Sequence, residues 1–265
     1  MADEQADLAK LITLLGHAAA LQERTGVDPN AAAVDPGSAL AGDDRRAYPH
    51  QLSHAAWHAL TISVDHLHCL HSAVVGCQEH SPSSVLLHIY APFTLLRAGL
   101  ENAATAVWLL SPVQRKERIL RRLRLAAANV WHSDAVGNLI GSPPTRTRNE
   151  RLNELRRIAR ACGISEIDAV KKPGHGEVVR AAGATILNGD LMVVLWKGCS
   201  GLAHGDIWAT LSMLDREVRE HPAASNVLNA KVTAPIAGLL TVVQGTVRMV
   251  DRGFALFDRR ARRHH

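Results

Sequence analysis

Aromatic residues are scarce: five Trp, two Tyr and three Phe make up 4% of 265 residues. Strands draw on aromatic and β-branched side chains, so this shortage argues against an all-β fold. Cysteine is nearly as sparse, and Cys69, Cys77, Cys162 and Cys199 are scattered without a C-x-x-C spacing. That excludes a disulfide framework and reads as reduced intracellular thiols. Lysine occurs 6 times against 24 arginines, so the pI of about 9.3 rests on arginine. The longest uncharged stretch near the end, VTAPIAGLLTVVQGTV (232–247), is interrupted by Pro235, Gly238, Gln244 and Gly245. It falls short of the roughly 20 apolar residues that span a bilayer. The start, MADEQADLAKLITLL, lacks the basic opening and cleavage site of a secretory leader. A cytoplasmic protein with no membrane association is expected. There is no Walker loop, G-x-S-x-G elbow, dinucleotide fingerprint or H-E-x-x-H, so the common nucleotide and hydrolase chemistries have no support and no cofactor is implied.

What is present is helical. Alanine and leucine dominate, and a first helix is expected over about 4–24, with Leu8, Leu11, Leu15 and Ala18 at helical spacing. Residues 26–48 carry Gly, Pro and Asp at turn frequency and read as a loop. A second helix runs over about 51–76, and a third over 81–110 with Ser81 as N-cap, Pro82 at its first position and a kink at Pro92. A second Ser-Pro start at 111–112 turns a sharp corner into the next helix, and after GSPPTRTR a short helix ends at Cys162 before Gly163. KKPGHGE (171–177) is another break, followed by a buried helix over about 188–204 and a short one from Asp206. The last helix, about 225–262, shows the stripe Leu228, Val232, Ile236, Leu239, Val243, Val247, Val250, Phe254 and Phe257. No convincing strand pattern occurs. The expectation is one all-α multi-helix bundle over 1–265, with a long C-terminal helix and a basic tail at 258–265.

Two seams carry the candidate chemistry. Between Ser84 and Leu110 the only permanent charges are Arg97 and Glu101, four residues apart on an otherwise apolar helix. Burying either alone is costly, so the two are expected to neutralise each other or to frame a polar site. On the helix ending at 204, Trp196, Ser200 and His204 recur every four residues and share a face, while Gly198 and Gly201 let a neighbouring helix approach. His204 also has a plainer reading as the last residue before a C′ glycine, Gly205, with Asp206 capping the next helix. If the seams face each other, Arg97, Glu101, Ser200 and His204 converge on one pocket.

LLRAGLENAATAVWLL followed far downstream by CSGLAHG resembles an R-x-x-x-E … S-x-x-x-H-G pattern of bacterial helical proteins that in turn resemble the HEPN superfamily, over roughly 85–205. That resemblance implies a homodimer and an RNA- or nucleotide-associated role in defence or stress, either as a metal-independent ribonuclease or as an inactive relative. The active members carry Arg-x(4–6)-His at a helix start. Here one such spacing is Arg45 to His50 in RRAYPH, where Pro49 intervenes. In a nuclease His204 would serve as general acid or base and Arg97 would stabilise charge on phosphate.

Residues 112–160 hold 12 basic and 4 acidic side chains. Arg115, Arg118, Arg121, Arg122 and Arg124, with Lys116, form either a solvated amphipathic face or a phosphate-contacting surface. On the helix over 51–76, His54, His58, Asp65 and His68 share a face near Cys69, His71, Cys77 and His80. Paired-Cys and Glu-x-x-His spacings are missing, so no metal ligand is assigned. A His-based metalloprotein and a non-enzymatic scaffold or small-ligand-binding protein stand as alternatives.

Overall fold

The computed structural model describes residues 2–26, 30–75, 87–218 and 229–263. Among them lie eleven helices, α1 (Ala2–Gly26), α2 (Ala39–Ala47), α3 (Leu52–Val75), α4 (Ala91–Leu110), α5 (Arg115–Leu139), α6 (Arg148–Ala161), α7 (Glu166–Ala169), α8 (His175–Gly183), α9 (Gly189–His204), α10 (Ile207–Met213) and α11 (Ile236–Ala261), and two strands, β1 (Asp215–Val218) and β2 (Ala230–Thr233). The protein is a helical bundle. Helix α4 is its axis: it is apolar on nearly every side, and α3, α8, α9 and α11 pack around it. Helix α1 closes the outer face against α3 and α11. A smaller core forms where α5, α6 and α7 bury Leu123, Leu155, Ile158 and Ala159 together.

Several expectations meet the structure directly. The α11 stripe is buried at Leu239, Val243, Val247, Val250, Phe254 and Phe257. Others need correction. Pro92 does not kink a helix but sits in the first turn of α4, where its missing N–H leaves no bond unmade. Helix α11 starts only after Pro235, and the segment assigned to its first turns instead contains β2, which pairs antiparallel with β1 through Arg216 opposite Val232. At its other end α11 runs to Ala261, close to the expected bound of 262, so the basic residues from Asp258 begin within its last turn. Ser81, Pro82, Cys77, His80 and Leu228 lie outside the described residues.

The expected loop over 26–48 contains α2, capped by the Ser38 hydroxyl accepting from the Ala41 amide at 3.1 Å. Local patterning does not make this helix; its two aspartates do, through distant partners. Asp44 acts as a remote cap for α3, accepting from the backbone of Leu52 (2.7 Å) and Ser53 (2.9 Å) and from the Ser53 hydroxyl (2.6 Å). Asp43 is fully buried and receives a two-pronged bond from Arg118, Nε to Oδ2 at 2.6 Å and Nη2 to Oδ1 at 2.9 Å, with Arg115 Nε added at 2.9 Å. Gly42 makes room, since a Cβ there would stand 2.8 Å from the Arg115 guanidinium.

The same arginines hold the corner between α4 and α5. Carbonyls at a helix end and in the turn beyond it lack helical partners. Arg121 donates to Trp108 O (2.7 Å), Arg118 to Pro112 O (3.0 Å) and Val113 O (2.7 Å), and Arg260 of α11 to Leu110 O and Pro112 O. Asp43→Asn should therefore destabilise the protein by about 3–5 kcal/mol, because it leaves the Arg118 charge buried without a counter-ion. Denaturant unfolding of the variant measures this, and combining Asp43→Leu with Arg118→Met should recover part of the loss.

Candidate functional site

Glu101, halfway along α4, organises the site. Its carboxylate Oε1 lies 2.8 Å from His175 Nδ1, and its Oε2 accepts the Trp196 indole N–H at 3.0 Å. Trp196 comes from the middle of α9 and His175 from the first turn of α8, so three helices converge. The imidazole lies nearly parallel to the indole, 24° between planes and 6.4 Å between centroids. Glu101 is largely enclosed, whereas the His175 side chain is 59% exposed. With Nδ1 committed to the carboxylate, Nε2 is the nitrogen left for a substrate, the orientation that a carboxylate imposes on a catalytic histidine.

The electrostatics agree with this geometry. Burial alone would raise the Glu101 carboxyl, but the hydrogen bond and charge of His175, the Trp196 bond and the Arg97 charge together bring it below its usual range. His175 moves upward, chiefly through its bond to Glu101; partial burial and the charges of Lys172 and Arg97 oppose the shift. The position of His175 at a helix N-terminus also disfavours a cation, so it is the bond to Glu101 that moves the imidazole toward its charged form.

Arg97, one turn before Glu101, belongs to this constellation in an unexpected way. Among the described residues it makes no ion pair with Glu101; it acts on Glu101 and His175 through its charge, and its Nε is buried without a hydrogen-bond partner. Ser200 follows Trp196 on α9, half-buried, and forms no hydrogen bond to Arg97 or Glu101. His204 stands exposed at the end of α9, with no hydrogen bond or ion pair to any of the three. There Gly205 adopts φ +75°, its N–H reaches Leu202 O at 3.2 Å, and the Asp206 N–H reaches Gly201 O at 2.8 Å. This paired closure is the Schellman ending of a helix. Gly198 and Gly201 admit α10: a Cβ on Gly201 would meet Ala209 at 2.6 Å and one on Gly198 would meet Met213 at 2.1 Å. The histidine that joins Arg97 and Glu101 is thus His175, not His204.

Residue-by-residue placement of the basic run is equally specific. Arg115 and Arg118 bind Asp43, and Arg121 pairs with Glu117 at 2.8 Å while lying over the Trp108 ring. Arg124 clasps Glu177 at 2.9 and 3.1 Å and reaches Lys171 O at 3.2 Å. Glu177 in turn accepts from the Gly174 amide that precedes α8, so Arg124 fixes the turn carrying His175. Arg122 donates through Nε to Gln51 O at 3.0 Å. These guanidiniums serve internal acceptors rather than forming one free basic face.

On α3, His54, His58 and Asp65 are exposed and His68 is half-buried. Among the described residues no three His, Cys, Asp or Glu side chains gather as a metal-holding group. No family model matches the chain, and neither a curated protein nor a solved structure matches it.

The dyad makes stability depend on pH with a definite sign. His175 is raised in the folded state, so its contribution is complete below about pH 6.5, the free-histidine value, and is lost as pH rises through the native value. Glu101 is lowered, so its contribution is complete above 4.5 and is lost as pH falls through its own native value. NMR titration of the His175 ring should show a pKa above that of free histidine, dropping in Glu101→Gln.

Proposed function

We propose that this chain is a cytoplasmic, self-associating, RNA- or nucleotide-associated protein, HEPN-like in its central helices, whose Glu101–His175 dyad acts on phosphate beside Arg97. The 2.8 Å contact between Glu101 and His175 carries the reading. It turns an exposed imidazole into an oriented acid–base group with Nε2 outward. Arg97 and Lys172 supply positive charge around it, as a phosphoryl centre requires. In a ribonuclease, the neutral form of His175, its Nδ1–H held by Glu101, would take the proton of the ribose 2′-hydroxyl on Nε2. The 2′-oxygen would bond to phosphorus as the bond to the 5′-oxygen breaks, that leaving oxygen taking a proton from water, and Arg97 would stabilise the charge growing on the phosphoryl oxygens. Glu101 and Trp196 would be positioning residues. Self-association is supported by the apolar side chains that α9 and α10 leave exposed, Leu191, Val194, Ile207, Trp208 and Leu211.

A second reading, a non-enzymatic scaffold, is favoured by the internal engagement of Arg115, Arg118, Arg121 and Arg124. One experiment separates the two. Purified protein is incubated with single-stranded RNA at low salt, and binding and cleavage are followed as salt rises. The proposed function expects salt-weakened binding, cleavage reduced about 100-fold or more by His175→Ala, and little change in cleavage with His204→Ala. Wild-type protein that neither binds nor cleaves RNA or nucleotides would leave the scaffold.

A further inference from the structure

A polar cavity lies on another side of α4, between α3, α4 and α5, and shares no residue with the Glu101–His175 site. Its volume is about 490 Å³, within the range of small-molecule sites, and it opens to solvent. Its polar lining is His54 and His58 from α3, Asn102 and Thr105 from α4, and Arg122 and Asn129 from α5. Ala55, Ala59, Ile62 and Leu125 supply apolar wall, and no carboxylate lines it. The lining therefore carries a single permanent positive charge, with Asn and His side chains able to donate beside it; the Thr105 hydroxyl already donates to Glu101 O at 2.9 Å.

Arg122 is the centre of this arrangement. Unlike the other four arginines of the α5 run, it has no direct carboxylate partner among the described residues; Asp44 reaches it only through space. Its Nε is fixed on Gln51 O at 3.0 Å, its terminal nitrogens form no hydrogen bond among the described residues, and its side chain lines the cavity. Burial pulls this guanidinium down to about 10, so removing it from water has an electrostatic cost that the protein itself does not offset with a contacting anion. Asn102 uses one amide hydrogen on Ala98 O at 2.9 Å and keeps the other. His54 and His58, one helical turn apart, stand at the rim.

We infer that this cavity binds a small organic oxyanion, a phosphate or carboxylate ester-sized molecule with an apolar body, its charged head on the terminal nitrogens of Arg122 and its body against Ile62 and Leu125. A guanidinium with Nε already anchored offers its two remaining nitrogens as a fork for two oxygens. The carboxamides of Asn102 and Asn129 can hydrogen-bond the same head, and the imidazoles add charge when protonated.

Isothermal titration of the full chain with phenyl phosphate, benzoate and inorganic phosphate tests this, with phenol as the uncharged control. The expected result is saturable one-to-one binding of phenyl phosphate or benzoate and much weaker binding of inorganic phosphate and phenol. The stronger aryl anion identifies the head group. Arg122→Met should weaken binding about tenfold or more, Asn129→Ala should weaken it less, and His175→Ala should leave it unchanged. Since Arg122→Met also loses the Gln51 contact, wild-type NMR provides a readout that needs no variant: the His54 and His58 ring signals should shift together on titration while that of His175 stays in place. No saturable binding of either aryl anion, binding indifferent to Arg122→Met in a folded variant, or shifts confined to His175 would overturn the inference.

Discussion

The bundle depends on one carboxylate. Asp43 is inaccessible to water and lies against two guanidiniums, one of them as buried as itself. A charge in that position is tolerable only with excellent hydrogen bonding, and Arg118 supplies it in the two-pronged form. The pair does more than neutralise itself. The remaining nitrogen of Arg118 serves the Pro112 and Val113 carbonyls, so the ion pair, the end of α4 and the start of α5 stand or fall together. Because α4 is the axis, the orientation of Glu101 is inherited from that corner. Arg124, two turns further along α5, extends the influence to Glu177 and hence to the turn that presents His175.

Arginine on α5 therefore works mainly as internal mortar. The side chains that composition alone would send to nucleic acid divide into those that bind Asp43, those that cap carbonyls, one that orders the α8 turn, and Arg122. A guanidinium suits all of these tasks because it stays charged and has five donors fixed in a plane. A high arginine content thus says little about partners until each fork has been followed to its acceptor.

Legibility in the sequence followed the range of the interactions. The closure of α9 rests on Gly205 and its immediate neighbours, and the α11 stripe on i, i+3 and i+4 repeats, so both could be read directly. Glu101 and Arg97 stood out as charges on an apolar helix, and Trp196 shared a seam with Ser200 and His204. What could not be read was tertiary. Helix α2 is only nine residues long and lies in a stretch whose Gly, Pro and Asp residues read as turn signals, and it is held by Arg118 and by the start of α3. Pro92 reads as a kink only while Ser81 and Pro82 mark a helix start upstream of it. His175 sat in KKPGHGE, read only as a break; Gly174 with Glu177 three residues later was a usable sign of a helix start. Its contact with Glu101, however, spans 74 positions of chain and follows no local rule.

The hold of Arg260 on the α4–α5 corner has a temporal side. Its Nε binds Leu110 O across 150 positions of chain. At about 5–20 residues per second of synthesis, the corner's carbonyls emerge on the order of ten seconds before their partner does. During that interval the nascent bundle can already gather α1, α3 and α4, while the bend into α5 relies on the arginines nearer at hand. The final locking contact arrives only once the distant helix has left the ribosome.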